Sequence, residues 1–184
     1  ARHRDLATYF DRRARGPSGV LIGRSYPRAL SELPFHLARA GRSAALAELL
    51  LDYDFLRARL EAHGLLDLLE DFDLPLDEDD LSAELARAHD LVGEALRLSA
   101  PVLSRAPALL PSQLLGRLRG HDGEHLEAFL AQVETRTRGP WLRPLNAGLL
   151  RPGGALAGIG QLPRGWPTPA IAIGANGWLG LSWD

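Results

Sequence analysis

The chain has 184 residues, 46% of them hydrophobic and 24% charged, with a formal net charge of −2, which fits one globular domain, or a domain plus a fragment, with a substantial core. It contains no Cys, no Met and no Lys, so disulfides, thiolate metal sites, cysteine nucleophiles, Schiff-base chemistry and the phosphate-cradling lysine of a P-loop are excluded. No apolar run approaches the roughly 20 residues that cross a bilayer, and Ala1 to Arg15 is Arg-rich and amphipathic rather than leader-like, so a soluble, cytoplasmic chain is expected, with no membrane partner.

With no Met even at position 1, Ala1 is not expected to be the start of the gene product. All basic residues are Arg, which with the abundant Ala, Leu and Gly points to a GC-rich, bacterial-type source. Charge is unevenly spread. Ala1 to Arg42 holds nine Arg against Asp5, Asp11 and Glu32, and Ser43 to Ala100 holds fifteen acids against Arg57, Arg59, Arg87 and Arg97. Solvated helix faces explain this better than complementary partners do. Nucleic acid is disfavoured as a partner, because Tyr9 and Phe10 stand alone rather than interleaving the Arg residues.

In chain order, Leu6, Tyr9, Phe10 and Arg13 predict a short first helix, broken by Gly16-Pro17-Ser18-Gly19. From Tyr26, Leu30, Leu33, Leu37 and Ala40 recur at helical spacing up to a stop at Gly41, and Pro34 implies a kink or two abutting helices. Short helices follow at Ala45 to Leu51, Phe55 to His63 closed by Gly64, and Leu65 to Phe72. Leu81, Leu85, Ala88, Val92, Ala95, Ser99 and Val102 share one stripe of a longer helix. Asp77 to Asp80 are expected in its first turn, where the macrodipole favours negative charge, rather than in a calcium loop. Pro111 to Leu118 and Glu124 to Arg136 predict two more helices. From Gly139 the composition turns Gly- and Pro-rich, and Thr168 to Ile173 and Trp178 to Ser182 read as strands around an Ala175-Asn176-Gly177 turn. A hairpin standing alone needs further strands to be stable.

Two motifs could carry chemistry. His121-Asp122-Gly123-Glu124-His125 matches the H-x-x-E-H order of inverted zinc metallopeptidases, in which both His bind metal and Glu activates water. The third ligand fails, because Asp184 is the only acid after Glu134, and Gly123 disfavours a rigid helix; a surface turn in which Asp122 caps the next helix is the better reading. Gly19 to Ser25 is one residue short of a phosphate loop and has Arg24 where Lys is required. His36 falls at the edge of the Leu30, Leu33, Leu37 face and is expected to pack or hydrogen-bond. No catalytic residue, cofactor site or metal site is therefore assigned.

Leu33-Pro34-Phe35-His36-Leu37-Ala38-Arg39-Ala40-Gly41-Arg42, continuing through Leu46 to Leu51, Asp52-Tyr53-Asp54-Phe55-Leu56 and on to Gly64, resembles the helical region of apoptotic protease-activating-factor-type proteins. In that family of STAND NTPases this region lies between an NB-ARC or NACHT nucleotide-binding module with its winged helix and a WD-repeat propeller. The family commonly has Trp at the position of Phe55 and Lys at that of Arg59. Pro140-Trp141-Leu142-Arg143-Pro144-Leu145 is similar to the approach to the propeller. Ala170 to Ile173 and Leu179 to Asp184 resemble the first two strands of a blade, with the usual Gly-His pair absent and Trp183-Asp184 ending the second strand.

The resemblance implies a mainly α fold, an ARM- or TPR-like helical-repeat bundle followed by a short β-hairpin that resembles an incomplete propeller blade. Its parts are a winged-helix-like tail (1–15), a helical array (26–138), a Gly/Pro-rich linker (139–167) and the incomplete blade (168–184). The implied function is a non-catalytic scaffold that couples a nucleotide-binding module to a sensor propeller in signal transduction, its partners being other domains of the same parent chain and protein ligands. Leu33, Phe35, Leu37, Leu49, Leu50, Phe55 and Leu56 are assigned to packing, and Pro34, His36, Gly41 and Asp52 complete the structural motif. The alternatives are a free-standing helical-repeat adaptor for protein partners and a zinc-dependent hydrolase using His121, Glu124 and His125.

Overall fold

A computed structural model describes residues 2–15 and 27–153, together with the backbone of three strands between residues 156 and 182. The fold is mainly helical. Helix α1 (Arg2–Arg15) buries Ala7, Phe10 and Ala14, a stripe at spacings of three and four, against α2 (Pro27–Arg39). Helix α2 runs as one helix through Pro34, not as two abutting helices. The missing amide removes one helical hydrogen bond, which the burial of Leu30, Leu33, Pro34 and Leu37 offsets. Gly41, at φ 64°, ends it: the Arg42 N–H donates back to the Leu37 carbonyl at 3.0 Å and Gly41 to Ala38 at 3.0 Å, a closure that needs the left-handed backbone.

Helices α3 (Ser43–Leu50), α4 (Tyr53–His63) and α5 (Leu65–Phe72) follow with tight connections. Helix α6 (Ala83–Leu98) is longest, and a short α7 (Ala100–Leu103) leads through a 3-10 turn at Pro107–Leu109 to α8 (Leu110–Leu118) and α9 (Glu124–Arg136). Helix α6 packs against α3, α5, α8 and α9, and α4 packs against α2, α3, α5 and α9. The core is built from Leu46, Leu50, Tyr53, Phe55, Leu56, Leu68, Val92, Leu96, Leu114 and Phe129, all 1% exposed or less.

These contacts correct the repeat-array expectation. In an open solenoid each unit touches only its neighbours. Here the Tyr53 N–H opening α4 donates to Gln132 Oε1 of α9 at 3.2 Å, and Gln132 Nε2 reaches the Leu51 carbonyl at 3.4 Å. The helices close into a bundle because the apolar faces of α4 and α6 are each covered by helices both before and after them in the chain.

The acids before α6 also differ from expectation. Helix α6 begins at Ala83, capped by Ser82, whose Oγ accepts from Leu85 N–H at 3.1 Å, while Glu78–Asp80 form a separate 3-10 turn. Asp80 serves another helix: its Oδ2 accepts from Ala44 N–H in the first turn of α3 at 3.2 Å, and Ser43 Oγ accepts from Asp77 N–H at 2.8 Å. The charge does meet a helix N-terminus, but one some thirty-six residues earlier in the chain, where Asp80 lies in space.

Asp122 likewise does not cap α9. The cap residue is Gly123, and the carboxylate that accepts from Glu124 N–H, and from His125 N–H at 3.4 Å, is Glu84 of α6. Glu84→Ala is expected to lower stability by about 1 kcal/mol, the usual value of a lost cap, and Asp122→Ala to leave it unchanged, by urea denaturation.

Strands β1 (Leu156–Ile159), β2 (Ala170–Gly174) and β3 (Leu179–Ser182) form an antiparallel sheet in that order. Ile171 pairs with Leu181 and Ile173 with Leu179, and the β1–β2 register shifts between Leu156 and Gly158. Strand β1 falls in the stretch read as linker. The Gly16-Pro17-Ser18-Gly19 break, Tyr26, the Gly19 to Ser25 loop, the Ala175-Asn176-Gly177 turn and the Trp183-Asp184 pair lie outside the described residues. Among the described residues no helix is long and apolar enough to cross a membrane.

Candidate functional site

Leu33, Leu37, Leu49, Leu50, Phe55 and Leu56 are buried in the core, and His36 and Pro34 are buried beside them. Phe35 is not: it is 42% exposed, with the Arg39 guanidinium 5.8 Å from its ring centroid. Phe35 lies off the buried face of α2 and meets His3 in the first turn of α1 edge-on, with ring centroids 6.0 Å apart.

Asp52 does more than pack. It is the N-cap of α4, its Oδ1 accepting from Asp54 N–H at 2.9 Å and Phe55 N–H at 3.3 Å. Arg136, at the end of α9, reaches the same Oδ1 at 3.4 Å and Asp54 Oδ2 at 3.2 Å, and Arg15, at the end of α1, lies 3.8 Å from Oδ2. One carboxylate thus joins the first helix, the fourth and the last. Nearby, Tyr53 hydrogen-bonds Thr137 Oγ1 at 3.0 Å, and burial raises the Tyr53 phenol above its ordinary value.

At the other end of α1, His3 Nδ1 and His36 Nδ1 are 2.9 Å apart, and Glu32 Oε2 lies 3.5 Å from His36 Nε2. Phe10 stacks on His36 with centroids 5.6 Å apart and planes 12° from parallel. Burial lowers the His36 pKa, Glu32 opposes this, and His3 adds to it. The nitrogens of His36 point to opposite sides, so this cluster does not converge on a metal.

Two buried cations set the remaining joints. Arg59 holds Asp71 through Nε at 2.7 Å and NH2 at 3.2 Å, and NH2 also reaches the Asp67 carbonyl at 3.3 Å, locking α4 to α5. Burial raises the Asp71 pKa against the opposing pull of Arg59, so for this pair desolvation outweighs the attraction. Arg117 of α8 donates to Ser99 Oγ at 2.8 Å, the Leu98 carbonyl at 3.0 Å, the Leu150 carbonyl at 2.8 Å and Gln113 Oε1 at 3.3 Å.

Leu150 belongs to a segment that is irregular yet held. After α9 the chain lies along α8, with Ser112 Oγ donating to the Leu142 carbonyl at 2.6 Å, Arg119 to that of Leu145 at 3.0 Å, and Leu149 N–H to that of Gly116 at 3.1 Å. A Cβ on Gly116 would stand 2.9 Å from Leu149 Cδ1, so a larger residue there would make the Leu149 side chain shift. Leu142 and Leu145 remain 82% and 77% exposed, and a cleft of about 370 Å³ lined by Tyr53, Arg57, Pro107, Pro111, Thr137 and Trp141 opens between this segment and α4.

The H-x-x-E-H run does not form a two-histidine helix face. Helix α9 starts only at Glu124, Gly123 has φ 137°, and His121 sits in the preceding turn with burial lowering its pKa. Among the described residues no three His, Asp or Glu side chains gather as a metal site.

Sequence reasoning missed Arg15, Glu84, Arg117 and Arg136. Arg117 could have been found: it falls on the Leu110, Leu114 stripe, where a charge at a core position demands internal partners. Arg59, three and four residues after Leu56 and Phe55, carries the same signal. The partners of Arg136 and Glu84 and the second partner of Arg15, Asp52, lie dozens of residues away and leave no local pattern, whereas Asp11 pairs with Arg15 at 2.9 Å on the same helix.

The described architecture has counterparts. Residues 3–109, which run from α1 through the 3-10 turn before α8, match the family model of the APAF-1 helical domain. The chain is 32% identical over 176 aligned residues to the human NACHT domain- and WD repeat-containing protein 1, covering 85% of this chain and 11% of that protein. It is 33% identical over 162 residues to the mouse protein of the same name, covering 85% of this chain and 10% of that protein. The chain thus spans about a tenth of the length of these curated relatives. No solved structure matches it significantly. A helical bundle matched over more than half its length, with both relatives aligned to most of the rest, belongs to the APAF-1 helical domain family.

Proposed function

We propose that this chain is the non-catalytic helical scaffold through which a nucleotide-binding module is coupled to a WD-repeat propeller in a signal-transduction NTPase of the cytoplasm. The names of the two relatives combine a NACHT domain with WD repeats, which supports flanking modules of these kinds. In this reading 1–15 is the tail of a winged-helix-like region, 26–138 the helical unit, 139–167 the connection onward and 168–184 the first strands of a blade. Its partners are then the other domains of the parent chain.

The observation that carries the proposal is the Asp52 junction. Ion-pair networks joining rigid helices can carry coupling between distant sites, and here one carboxylate meets arginines of both α1, which leads from the N-terminal side, and α9, which leads to the segment lying on α8. The exposed Leu142 and Leu145 favour a second reading, a protein-interaction adaptor that docks through that segment.

The test begins with the coding region on both sides. A G-x-x-x-x-G-K-[ST] motif upstream and repeated blade patterns downstream support coupling, and a start and stop closely flanking this segment sink it in favour of the adaptor. In the parent protein, deleting everything after residue 153 should change nucleotide hydrolysis, and Asp52→Asn, which keeps the cap but removes the charge, should shrink that change several-fold. Hydrolysis indifferent to both alterations refutes the coupling role.

A further inference from the structure

In the sequence Tyr9 and Phe10 stand apart from other aromatics, and packing changes that. The Tyr9 ring meets Phe10 edge-on with centroids 5.2 Å apart, Phe10 stacks on His36 at 5.6 Å, and His36 meets Phe35 at 5.2 Å. One unbroken run of rings therefore crosses from α1 to α2. Its middle is buried, while its two ends meet solvent, Tyr9 at 44% exposure and Phe35 at 42%. Each of these end rings carries a cation: the Arg13 guanidinium lies 5.4 Å from the Tyr9 centroid, and that of Arg39 lies 5.8 Å from the Phe35 centroid.

Elsewhere in the bundle Arg57, Arg97, Arg119, Arg136 and Arg143 each meet a carboxylate. Among the described residues no carboxylate pairs with Arg39, nor with Arg2, Arg4 or Arg12 of α1. A guanidinium resting on a ring has already lost part of its rotational freedom and still offers in-plane N–H donors, the geometry that takes a carboxylate bidentately.

We propose that this flank of α1 and α2 is a docking surface for an extended acidic segment of a partner protein, whose carboxylates pair with Arg13 and Arg39 and whose backbone between them crosses the aromatic run.

Charge selects the class of partner. Residues 1–42 carry nine Arg against three acids, so this end of the chain attracts anions. The steps from ring to ring limit the separation of Tyr9 and Phe35 to about 16 Å, which roughly five residues of extended chain span. Two features favour carboxylates over the phosphates of a nucleic acid. One face of each end ring is taken by a guanidinium, which a stacking base would have to displace. Asp5 and Glu32 also stand on these two helices. A phosphate backbone, charged at every unit, meets them unavoidably, whereas a peptide can set neutral residues opposite them. The surface needs only the α1–α2 pair and exists whether or not the bundle couples two domains.

Titration of the 184-residue chain with decaglutamate at low ionic strength tests it, read by amide chemical shifts. Saturable shifts confined to α1 and α2 are expected, with an affinity that falls as salt rises. Arg39→Gln should weaken binding about tenfold. Arg12→Gln removes the same charge from a position that, among the described residues, has no ring contact, and should weaken it less than about twofold. Phe35→Leu leaves every charge in place and takes away the ring under Arg39, so a several-fold loss is expected. Should that leucine loosen α1, Arg39→Lys gives the same reading, because it keeps the charge and the rings but not the planar fork. Decathymidylate should bind more weakly than decaglutamate. Absent binding, shifts centred outside α1 and α2, equal losses for Arg12→Gln and Arg39→Gln, or full affinity in Phe35→Leu and Arg39→Lys would each overturn the docking surface. Decathymidylate binding as tightly as decaglutamate would overturn it in favour of nucleic acid, and concentration-dependent shifts of α1 and α2 without peptide would overturn it in favour of a second copy of the chain.

Discussion

Replacing Arg117 with Met is expected to lower the unfolding free energy by about 2–4 kcal/mol and to release the segment from Leu142 to Gly153, while leaving α1 to α5 folded. Met fills the volume of the side-chain stem, so the loss reports the guanidinium rather than a cavity. That residue is 6% exposed, and it donates to neutral oxygens, those of Ser99, Leu98, Leu150 and Gln113. Burial lowers its pKa, yet the guanidinium remains charged at neutral pH. The cation is stabilised by carbonyl dipoles, chiefly that of Leu98 at the C-terminal end of α6, where the macrodipole is negative.

Without Arg117 the Leu98 and Leu150 carbonyls lose their donor, and the irregular segment loses a bond that ties it to the junction of α6 and α8. Urea unfolding gives the energy, and hydrogen exchange at residues 142–153 gives the release. Unchanged protection there would mean that the remaining bonds, Ser112–Leu142, Arg119–Leu145, Leu149–Gly116 and Gly153–Glu94, hold the segment without Arg117.

The second large effect belongs to Arg59 and Asp71. Arg59→Ala is expected to cost about 3–5 kcal/mol, because it strands a carboxylate whose side chain is only 8% exposed between α4 and α5. The joint replacement Arg59→Met with Asp71→Leu should come within about 1 kcal/mol of the original chain, since it removes both charges and keeps apolar volume. The raised pKa of Asp71 points the same way: burial disfavours its ionised form even beside Arg59, so this group stabilises the fold more when protonated than when charged. A double-mutant cycle decides the matter, and strictly additive losses would show that the two side chains do not act as a pair.

The helices were legible because each carries its own signal. The stripe Leu30, Leu33, Leu37 closed by the left-handed Gly41, and the run Leu65 to Phe72 opened behind Gly64, are local patterns of period 3.6, so α2 and α5 could be placed within a residue or so of their observed ends. Of the two readings that Pro34 allowed, a kink or two abutting helices, the structure removes the second. A proline costs one hydrogen bond, but whether a helix breaks there depends on how much apolar surface the unbroken helix buries, and that depends on neighbours the local pattern does not name.

The H-x-x-E-H run failed for a similar reason, since its spacing has chemical meaning only on a continuous helix and Gly123 starts the helix too late. By itself, then, the order of residues determined the mainly helical class, the approximate positions of α1 to α6, α8 and α9, the absence of thiol and lysine chemistry, and the resemblance that the family match bore out; it carried the α6 stripe on to Val102, where the structure ends α6 at Leu98 and starts the separate α7 at Ala100. Tertiary structure decided what those helices do to one another: that they close into a bundle, that Asp80 and Glu84 cap helices distant in the chain, that Asp52 gathers arginines from α1 and α9, and that His3 meets His36. Periodicity reports only which face of a helix must leave water. Which partner covers that face, and which charge finds a backbone end or a second ring, is settled by packing between residues thirty to eighty positions apart, and no local spacing encodes it.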